Sequence, residues 1–179
     1  MRIFLAALAL PLALAGCAYA DPTGGTPMPL VDGAGRTVGS VTAYQSGGGV
    51  TFRIEGAGLP HGVHGIHVHS VGRCAGPDFA SAGPHWNPMS KQHGFSNPQG
   101  PHGGDLSNVT VAANGVLSAT VTLANADLTA PSGVTGALLD GDGAALVLHA
   151  AADDYATDPS GQSGPRIACA VLVPTAVRY

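Results

Sequence analysis

The sequence predicts an all-β fold in which about eight short antiparallel strands form a sandwich or barrel with two long functional loops. Apolar and polar residues alternate with a period of two in several segments after position 36, as they do in half-buried strands. Turn-forming residues separate these segments, because 27 Gly and 14 Pro are spread over 179 residues. The sequence contains no amphipathic helical pattern of useful length and no internal repeat. The 45% hydrophobic content can build one core, so we expect a single folded domain.

The alternating segments Thr37–Gln45 and Val50–Glu55 flank a glycine-rich turn and predict a β-hairpin. The next predicted strand, His64–Ser70, carries three histidines. Later strands are predicted over Asn108–Ala112, Val116–Leu123, Ala144–Leu148 and Ile167–Val173. The segments Val71–Leu106 and Asp153–Pro165 have no strand pattern and are long for ordinary connections. We therefore interpret them as the two functional loops, and call them the first and the second loop.

The first residues of the chain have the features of an export signal. A positive charge at Arg2 is followed by the apolar stretch Ile3–Ala15, and small residues stand directly before Cys17. This ending resembles that of a bacterial lipoprotein signal, in which cleavage before the cysteine leaves lipid on its sulfur. The alternative is a transmembrane anchor, because Ile3–Ala20 is 18 uncharged residues long. Pro11 and the small residues before the cysteine favour the lipoprotein.

The expected organisation has three parts. Residues 1–16 form a lipoprotein signal peptide, residues 17–27 a lipidated flexible tether, and residues 28–179 the folded domain. The mature protein is expected on the periplasmic face of the cell envelope, anchored through lipid on Cys17. The outer membrane is favoured because Ala18, rather than an aspartate, follows the cysteine. A formal net charge of −4 argues against nucleic acid as a partner.

The three cysteines fit an exported protein with one disulfide. If lipid occupies Cys17, Cys74 and Cys169 remain as a pair, and an oxidising compartment allows them to bond. The alternative is two separate buried thiols.

Six of the eight histidines form the pattern that says most about function. They are His67, His69, His85, His93, His102 and His149. Because side chains alternate along a strand, the i, i+2 spacing of His67 and His69 directs both imidazoles to one face. Two adjacent imidazoles fill a core poorly but make half of a metal site. His93, His102 and Asp105 add a second group of nitrogen and oxygen ligands in the first loop, so two metals are implied.

Five separated motifs resemble those of copper–zinc superoxide dismutases, in the same order. They are Gly65–His69, Ser81–Pro88, His102–Leu106, Leu148–His149 and Gly164–Cys169. The resemblance covers most of Leu30–Val173, and the long segment between Cys74 and His85 is similar to that of the bacterial form. It implies a Greek-key barrel or sandwich with one copper and one zinc per chain. The implied activity is the conversion of two superoxide anions to oxygen and hydrogen peroxide by Cu(II)/Cu(I) cycling.

The resemblance also implies a role for each ligand. Copper would bind His67, His69, His85 and His149, and zinc would bind His85, His93, His102 and Asp105. His85 would bridge the metals and take up a proton during turnover, which makes it catalytic together with Arg166. Four imidazoles suit Cu(II), whereas a tetrahedral set with a carboxylate suits Zn(II). An imidazole can bind two metals only after it has lost both ring protons.

Other residues gain supporting roles from the resemblance. Asp153 would link a copper-site histidine to a zinc-site histidine, and the alternative is a solvated loop carboxylate. Arg166 would stand at the mouth of the copper site and attract the anion, and the alternative is a strand-edge charge. His64 would hydrogen-bond the backbone without binding metal, and His61 is expected to be exposed. The second loop contains no Lys or Glu, so attraction of the anion would rest on Arg166, the metals and Lys91.

The expected function is therefore protection of the cell envelope from superoxide. The alternative is a non-catalytic copper-binding or chaperone lipoprotein on the same fold, which would need neither the bridged metal pair nor Arg166. The expected partners are superoxide and the membrane that holds the lipid, and the sequence leaves a homodimer open.

Overall fold

The computed structural model describes residues 25–129 and 137–172. The predicted signal peptide and Cys17 lie outside the described residues, as does Val173 at the end of the last predicted strand. The described part contains nine strands and one short 3₁₀ helix, Ala80–Ala82. The strands are β1 (Met28–Asp32), β2 (Thr37–Ser46), β3 (Gly49–Gly56), β4 (Gly62–His64), β5 (Ile66–His69), β6 (Val109–Val111), β7 (Leu117–Ala124), β8 (Ala144–His149) and β9 (Arg166–Leu172). No helix in these ranges is long and apolar enough to span a membrane.

Seven strands form one antiparallel sheet in the order β5-β8-β9-β1-β2-β3-β7, and β4 pairs with β6 in a second sheet. The strands β1, β2 and β3 are neighbours in both chain and sheet, whereas the later strands return across the barrel ends in a Greek-key pattern. The small sheet lies between the two edges, because β4 continues through Gly65 into β5 and a tight turn joins β6 to β7. The large sheet is curled, and the predicted all-β antiparallel fold is confirmed.

The predicted strands agree with the structure to within one residue at each end, with two exceptions. The single strand predicted over His64–Ser70 is wrong, because the chain forms β4 and β5 with a break at Gly65. The backbone there passes close to the second loop, and an added Cβ would lie 2.9 Å from the Cβ of Ser163. The second exception is β1, a five-residue strand that the alternation did not predict.

The strand β8 is buried on both faces, and this explains its continuous apolar sequence. Leu146 and Leu148 face the main core, whereas Val147 faces a smaller apolar cluster that includes Phe79 and Cys169. Burying a side chain of this size stabilises a fold by about 1.5–3 kcal/mol. Since Phe79 belongs to the first loop, apolar packing holds that loop against β8 and β9.

A disulfide joins Cys74 to Cys169, whose Cα atoms are 5.7 Å apart. The predicted pairing is confirmed, and the alternative of two separate thiols is wrong. Cys74 lies in the first loop and Cys169 in β9, so the bond ties the loop to the strand that begins at Arg166.

Candidate metal centre

Parts of the first loop lie against β5 and bring the ligand residues together. The Trp86 N–H donates to the Val68 carbonyl oxygen at 2.8 Å, and the Val68 N–H donates to Gly104 at 2.9 Å. The Gly104 N–H in turn donates to the Trp86 carbonyl oxygen at 2.7 Å. This backbone network sets His67 opposite Asp105. Position 104 has to be glycine, because a Cβ there would overlap the Val68 carbonyl oxygen.

Four imidazoles converge beside β5 and form what we call the four-histidine set: His67, His69, His85 and His149. One ring nitrogen of each is buried without a hydrogen-bond partner, namely Nδ1 of His67 and Nε2 of the other three. The four residues offer ligand atoms that lie within 4.8 Å of one another. An unpaired buried polar atom costs about 1–3 kcal/mol. Four such atoms at one point indicate that a cation belongs between them.

The opposite nitrogens of two of these rings are held by backbone acceptors. Nδ1 of His69 donates to the Gly83 carbonyl oxygen at 2.8 Å, and Nδ1 of His149 donates to that of Gly164 at 3.1 Å. Because a carbonyl oxygen can only accept, each ring carries its proton on the outer nitrogen. The inner nitrogen therefore keeps a lone pair for a metal.

Four donor atoms surround a second point and form the mixed set: His85, His93, His102 and Asp105. The Oδ1 atom of Asp105 lies 3.0 Å from Nδ1 of both His85 and His93. Nδ1 of His102 lies 3.4 Å from the same oxygen and 3.3 Å from Nδ1 of His85. Tetrahedral zinc with bonds of about 2.0 Å separates its ligand atoms by about 3.3 Å. The donor types and their spacing therefore fit zinc.

His85 belongs to both sets, because its Nε2 faces the four-histidine set and its Nδ1 faces the mixed set. The Asp105 carboxylate is fixed by its other oxygen, Oδ2, which accepts the backbone N–H groups of Gly94 and His102 at 2.9 Å each. Oδ1 thus stays directed at the mixed set.

Asp153 is buried and connects the two sets. Its Oδ2 lies 2.8 Å from Nε2 of His67 and its Oδ1 lies 2.9 Å from Nε2 of His93. The first bond occupies the His67 nitrogen that faces away from the four-histidine set. Asn108 holds Asp153, because it accepts the Asp153 N–H and donates to the Asp153 carbonyl oxygen at 2.9 Å each. Sequence reasoning missed Asn108, since its partner is 45 residues away and no local pattern marks the contact.

The two sets differ in charge. Burial lowers the pKa of the histidines in the four-histidine set, to about 4 for His85 and His149. Burial opposes protonation of His93 too, but hydrogen bonds to Asp105 and Asp153 outweigh it and raise the pKa of His93 to about 9. Although burial acts in the other direction, histidine partners hold the pKa of Asp105 and Asp153 far below the usual range. At neutral pH charge is therefore concentrated around the mixed set.

A cavity of about 940 Å³ gives access to the centre. The site residues in its lining are His69, His85, His102, His149 and Arg166. The Arg166 guanidinium donates to the carbonyl oxygens of Phe79 at 2.6 Å and Gly83 at 2.8 Å. Backbone acceptors of the first loop thus fix this cation at the cavity edge.

His64 lies outside both sets. Its ring nitrogens are 2.8 Å from the carbonyl oxygens of His149 and Pro60, and His61 is exposed. All the residues predicted as metal ligands are thus brought together, whereas the predicted lipid site, Cys17, lies outside the described residues.

Comparison with known proteins identifies the family. The family model for copper/zinc superoxide dismutase matches residues 37–172. Superoxide dismutase [Cu-Zn] 1 of Aquifex aeolicus is 38% identical over 144 residues, which cover 80% of this chain and 84% of that protein. The superoxide dismutase-like protein YojM of Bacillus subtilis is 36% identical over an alignment of 190 residues, gaps included, which covers 96% of this chain and 96% of that protein. The solved structure of Cu/Zn superoxide dismutase from Brucella abortus superposes with a TM-score of 0.65 at 26% identity, over 83% of this chain and 99% of that one. The chain belongs to the copper/zinc superoxide dismutase family.

Proposed function

We propose that this superoxide dismutase holds one copper in the four-histidine set and one zinc in the mixed set. When bound, copper supplies the Cu(II)/Cu(I) cycle that converts two superoxide anions to oxygen and hydrogen peroxide, and zinc supplies a fixed positive charge without redox chemistry. The observation that carries this assignment is the set of four buried ring nitrogens without partners. The spacing of about 3 Å among the donor atoms of the mixed set supports the division between the metals.

His85 is the residue that can hold and release a proton at the reacting centre. Its Nδ1 stays beside Asp105, whereas its Nε2 belongs to the set that borders the cavity. A proton held at Nε2 is therefore well placed to reach the peroxide product. Nδ1 of the same ring remains in the mixed set beside Oδ1 of Asp105, so Nε2 returns to the same position after each turnover.

Arg166 attracts and positions the substrate anion. Two of its N–H groups are used by the carbonyl oxygens of Phe79 and Gly83, which leaves the positive charge fixed at the cavity edge. Because the chain as a whole is negative, with a formal net charge of −4, attraction of superoxide has to be local.

Selective loss of one metal tests the division between the two sets. His69→Ala removes a ligand of the four-histidine set alone and should abolish dismutation and copper binding while zinc still binds. His102→Ala removes a ligand of the mixed set alone and should lower zinc content while copper still binds. The measurement is metal content per chain together with the dismutation rate, and His61→Ala is the exposed control. Equal loss of both metals in both variants would contradict the assignment.

The alternative of a non-catalytic copper carrier on this fold is not favoured. Such a protein needs neither a complete mixed set nor a fixed arginine at the cavity, and this chain has both.

We further propose that the chain is exported and anchored by lipid on Cys17 at the periplasmic face of the envelope, in the outer membrane. The residues before Cys17 support this, as does the disulfide, which is typical of oxidising compartments. Cys17→Ser should block processing or release the protein from membranes, because firm anchoring needs more than one acyl chain. Unchanged membrane retention of the variant would favour an uncleaved helix. Light scattering on the released protein tests whether it forms a homodimer.

A further inference from the structure

In the ligand histidines, the outer ring nitrogen, which faces away from the metal set, bonds a hydrogen-bond acceptor, and one histidine is an exception. Leaving aside His85, which presents both nitrogens to metal sets, four rings bond an acceptor within 3.1 Å: His67, His69, His93 and His149. His102 is the exception, since its Nε2 lies 3.7 Å from Oδ1 of Asp158, beyond hydrogen-bond distance. Among the described residues, Asp158 is the carboxylate that this nitrogen faces.

The same oxygen of Asp158 makes a short bond to another member of the mixed set. The backbone N–H of His93 donates to Oδ1 at 2.6 Å. One carboxylate oxygen therefore contacts the backbone of one proposed zinc ligand and faces the ring of another. Asp158 comes from the second loop and both histidines come from the first, and the Asp158 side chain is 48% exposed.

Further contacts fix the second loop in this position. The Tyr155 carbonyl oxygen accepts the Ser96 N–H at 2.8 Å, and the Tyr155 hydroxyl accepts the Asn108 N–H at 2.7 Å. Gly94 lies so close to Tyr155 that an added Cβ would overlap its carbonyl oxygen. The second loop thus lies directly against the part of the first loop that carries the mixed set.

We propose that Asp158 is a positioning residue for zinc, an inference that rests on the zinc set proposed above. It acts by fixing the His93 backbone and by lying against the outer nitrogen of His102, so that Nδ1 of each ring stays directed at the mixed set. Residues that hydrogen-bond a metal ligand from outside the site set the orientation of that ligand, and their loss typically lowers metal affinity about 10–100-fold. The second loop thereby contributes to the zinc site without supplying a ligand.

A purely structural role for Asp158 can be separated from this one because the same loop offers a matched control. Asp154 is an exposed aspartate whose carboxylate accepts hydrogen bonds within the second loop, from Ala156, Thr157 and Gln162. Asp154→Asn therefore disturbs the loop's own hydrogen bonds without removing a contact to the first loop.

The test measures zinc and copper affinity of the full chain by competition with a chromogenic chelator, and the absorption spectrum with cobalt in place of zinc. Asp158→Ala should weaken zinc binding about 10-fold or more, change the cobalt spectrum and leave copper affinity unchanged. Asp158→Asn should recover part of the loss, because its amide oxygen still accepts the His93 N–H. Asp154→Asn should behave like the wild type.

Wild-type zinc affinity in Asp158→Ala, or an equal loss in Asp154→Asn, would overturn the inference. His102→Ala separates this failure from failure of the proposed zinc set. If His102→Ala weakens zinc binding and Asp158→Ala does not, only the role of Asp158 is wrong. If His102→Ala itself has no effect on zinc, the zinc set is wrong.

Discussion

The disulfide between Cys74 and Cys169 spans 95 residues, so its removal should destabilise the fold by an amount that the loop length sets. In the chain-entropy model a closed loop of about that size stabilises the native state by about 4.7 kcal/mol. Replacing both cysteines by alanine should lower the free energy of unfolding of the metal-free protein by up to that amount. For a domain of this size, each kcal/mol corresponds to about 2–4 °C, so the Tm should fall by up to roughly 10–20 °C. Alanine is preferred to serine because Cys169 is fully buried and a hydroxyl there would lack a partner.

The same change should lower activity through Arg166. Cys74 ties the first loop to β9, and that loop supplies the Phe79 and Gly83 carbonyl oxygens that hold the guanidinium. Without the disulfide the loop can move away from β9, and the cation loses its fixed position at the cavity. The rate per bound copper should therefore fall, and the fall should be larger at low ionic strength, where electrostatic attraction is least screened.

Thermal unfolding of the metal-free protein and the dismutation rate per bound copper measure the two effects separately. Reduced wild type is the control, and it should behave like the double alanine variant. An unchanged Tm would refute the stability argument. A lower Tm with an unchanged rate per copper would show that Arg166 is held independently of the disulfide.

Four further predictions concern substrate attraction, proton release, pH-dependent stability and space at the centre. Arg166→Ala should slow dismutation severalfold with metal content unchanged, Arg166→Lys should recover part of the rate, and Arg166→Glu should be the slowest. Added salt should slow the wild type more than Arg166→Ala. Equal rates for the wild type, Arg166→Ala and Arg166→Glu at low salt would remove the proposed role. Zinc binding at pH 7 should release a proton from His93, whose pKa of about 9 keeps it protonated in the metal-free protein. Calorimetry in buffers of different ionisation enthalpy should show this release, which should vanish above about pH 9, and its absence at pH 7 would contradict the prediction. The stabilisation that His93 contributes is complete below pH 6.5, the pKa of histidine in the unfolded chain, and is lost as the pH rises towards 9. The stabilisation that His85 and His149 contribute is complete above pH 6.5, because folding lowers their pKa, and is lost as the pH falls towards 4. Because several histidines have a lowered pKa and, among the described residues, His93 alone has a raised one, the metal-free protein should be most stable between about pH 6.5 and 7.5, and a monotonic stability profile would refute this. Gly161→Ala should reduce the content of both metals, because the new Cβ would overlap Oδ1 of Asp153; Gly141→Ala, where space is open, is the control.

The ligand residues could be predicted from the sequence because local rules and motifs mark them. His67 and His69 share a strand face by their spacing, and His149 ends an apolar strand. The break at Gly65 could not be predicted, since the backbone there packs closely against Ser163, nearly a hundred residues later in the chain. Asn108 was missed for the same reason: its role depends on a segment that becomes a neighbour only after folding.

The distribution of charge explains why an anion should react at one half of the centre. Asp105 and Asp153 stay ionised because histidine partners hold their pKa low. Asp105 bonds His85 and His93 in the mixed set, whereas Asp153 lies between the sets and bonds both His93 and His67. A dication in the mixed set would therefore have the Asp105 carboxylate as a direct neighbour and would share Asp153 with the other set. The rings of the four-histidine set are neutral because burial lowers their pKa, and the set contains no carboxylate of its own, so a cation there is less balanced than one in the mixed set. Arg166 adds its charge to the same cavity. With copper in the four-histidine set, positive potential is concentrated where the redox metal meets the cavity, and superoxide is drawn to that point although the chain as a whole is negative.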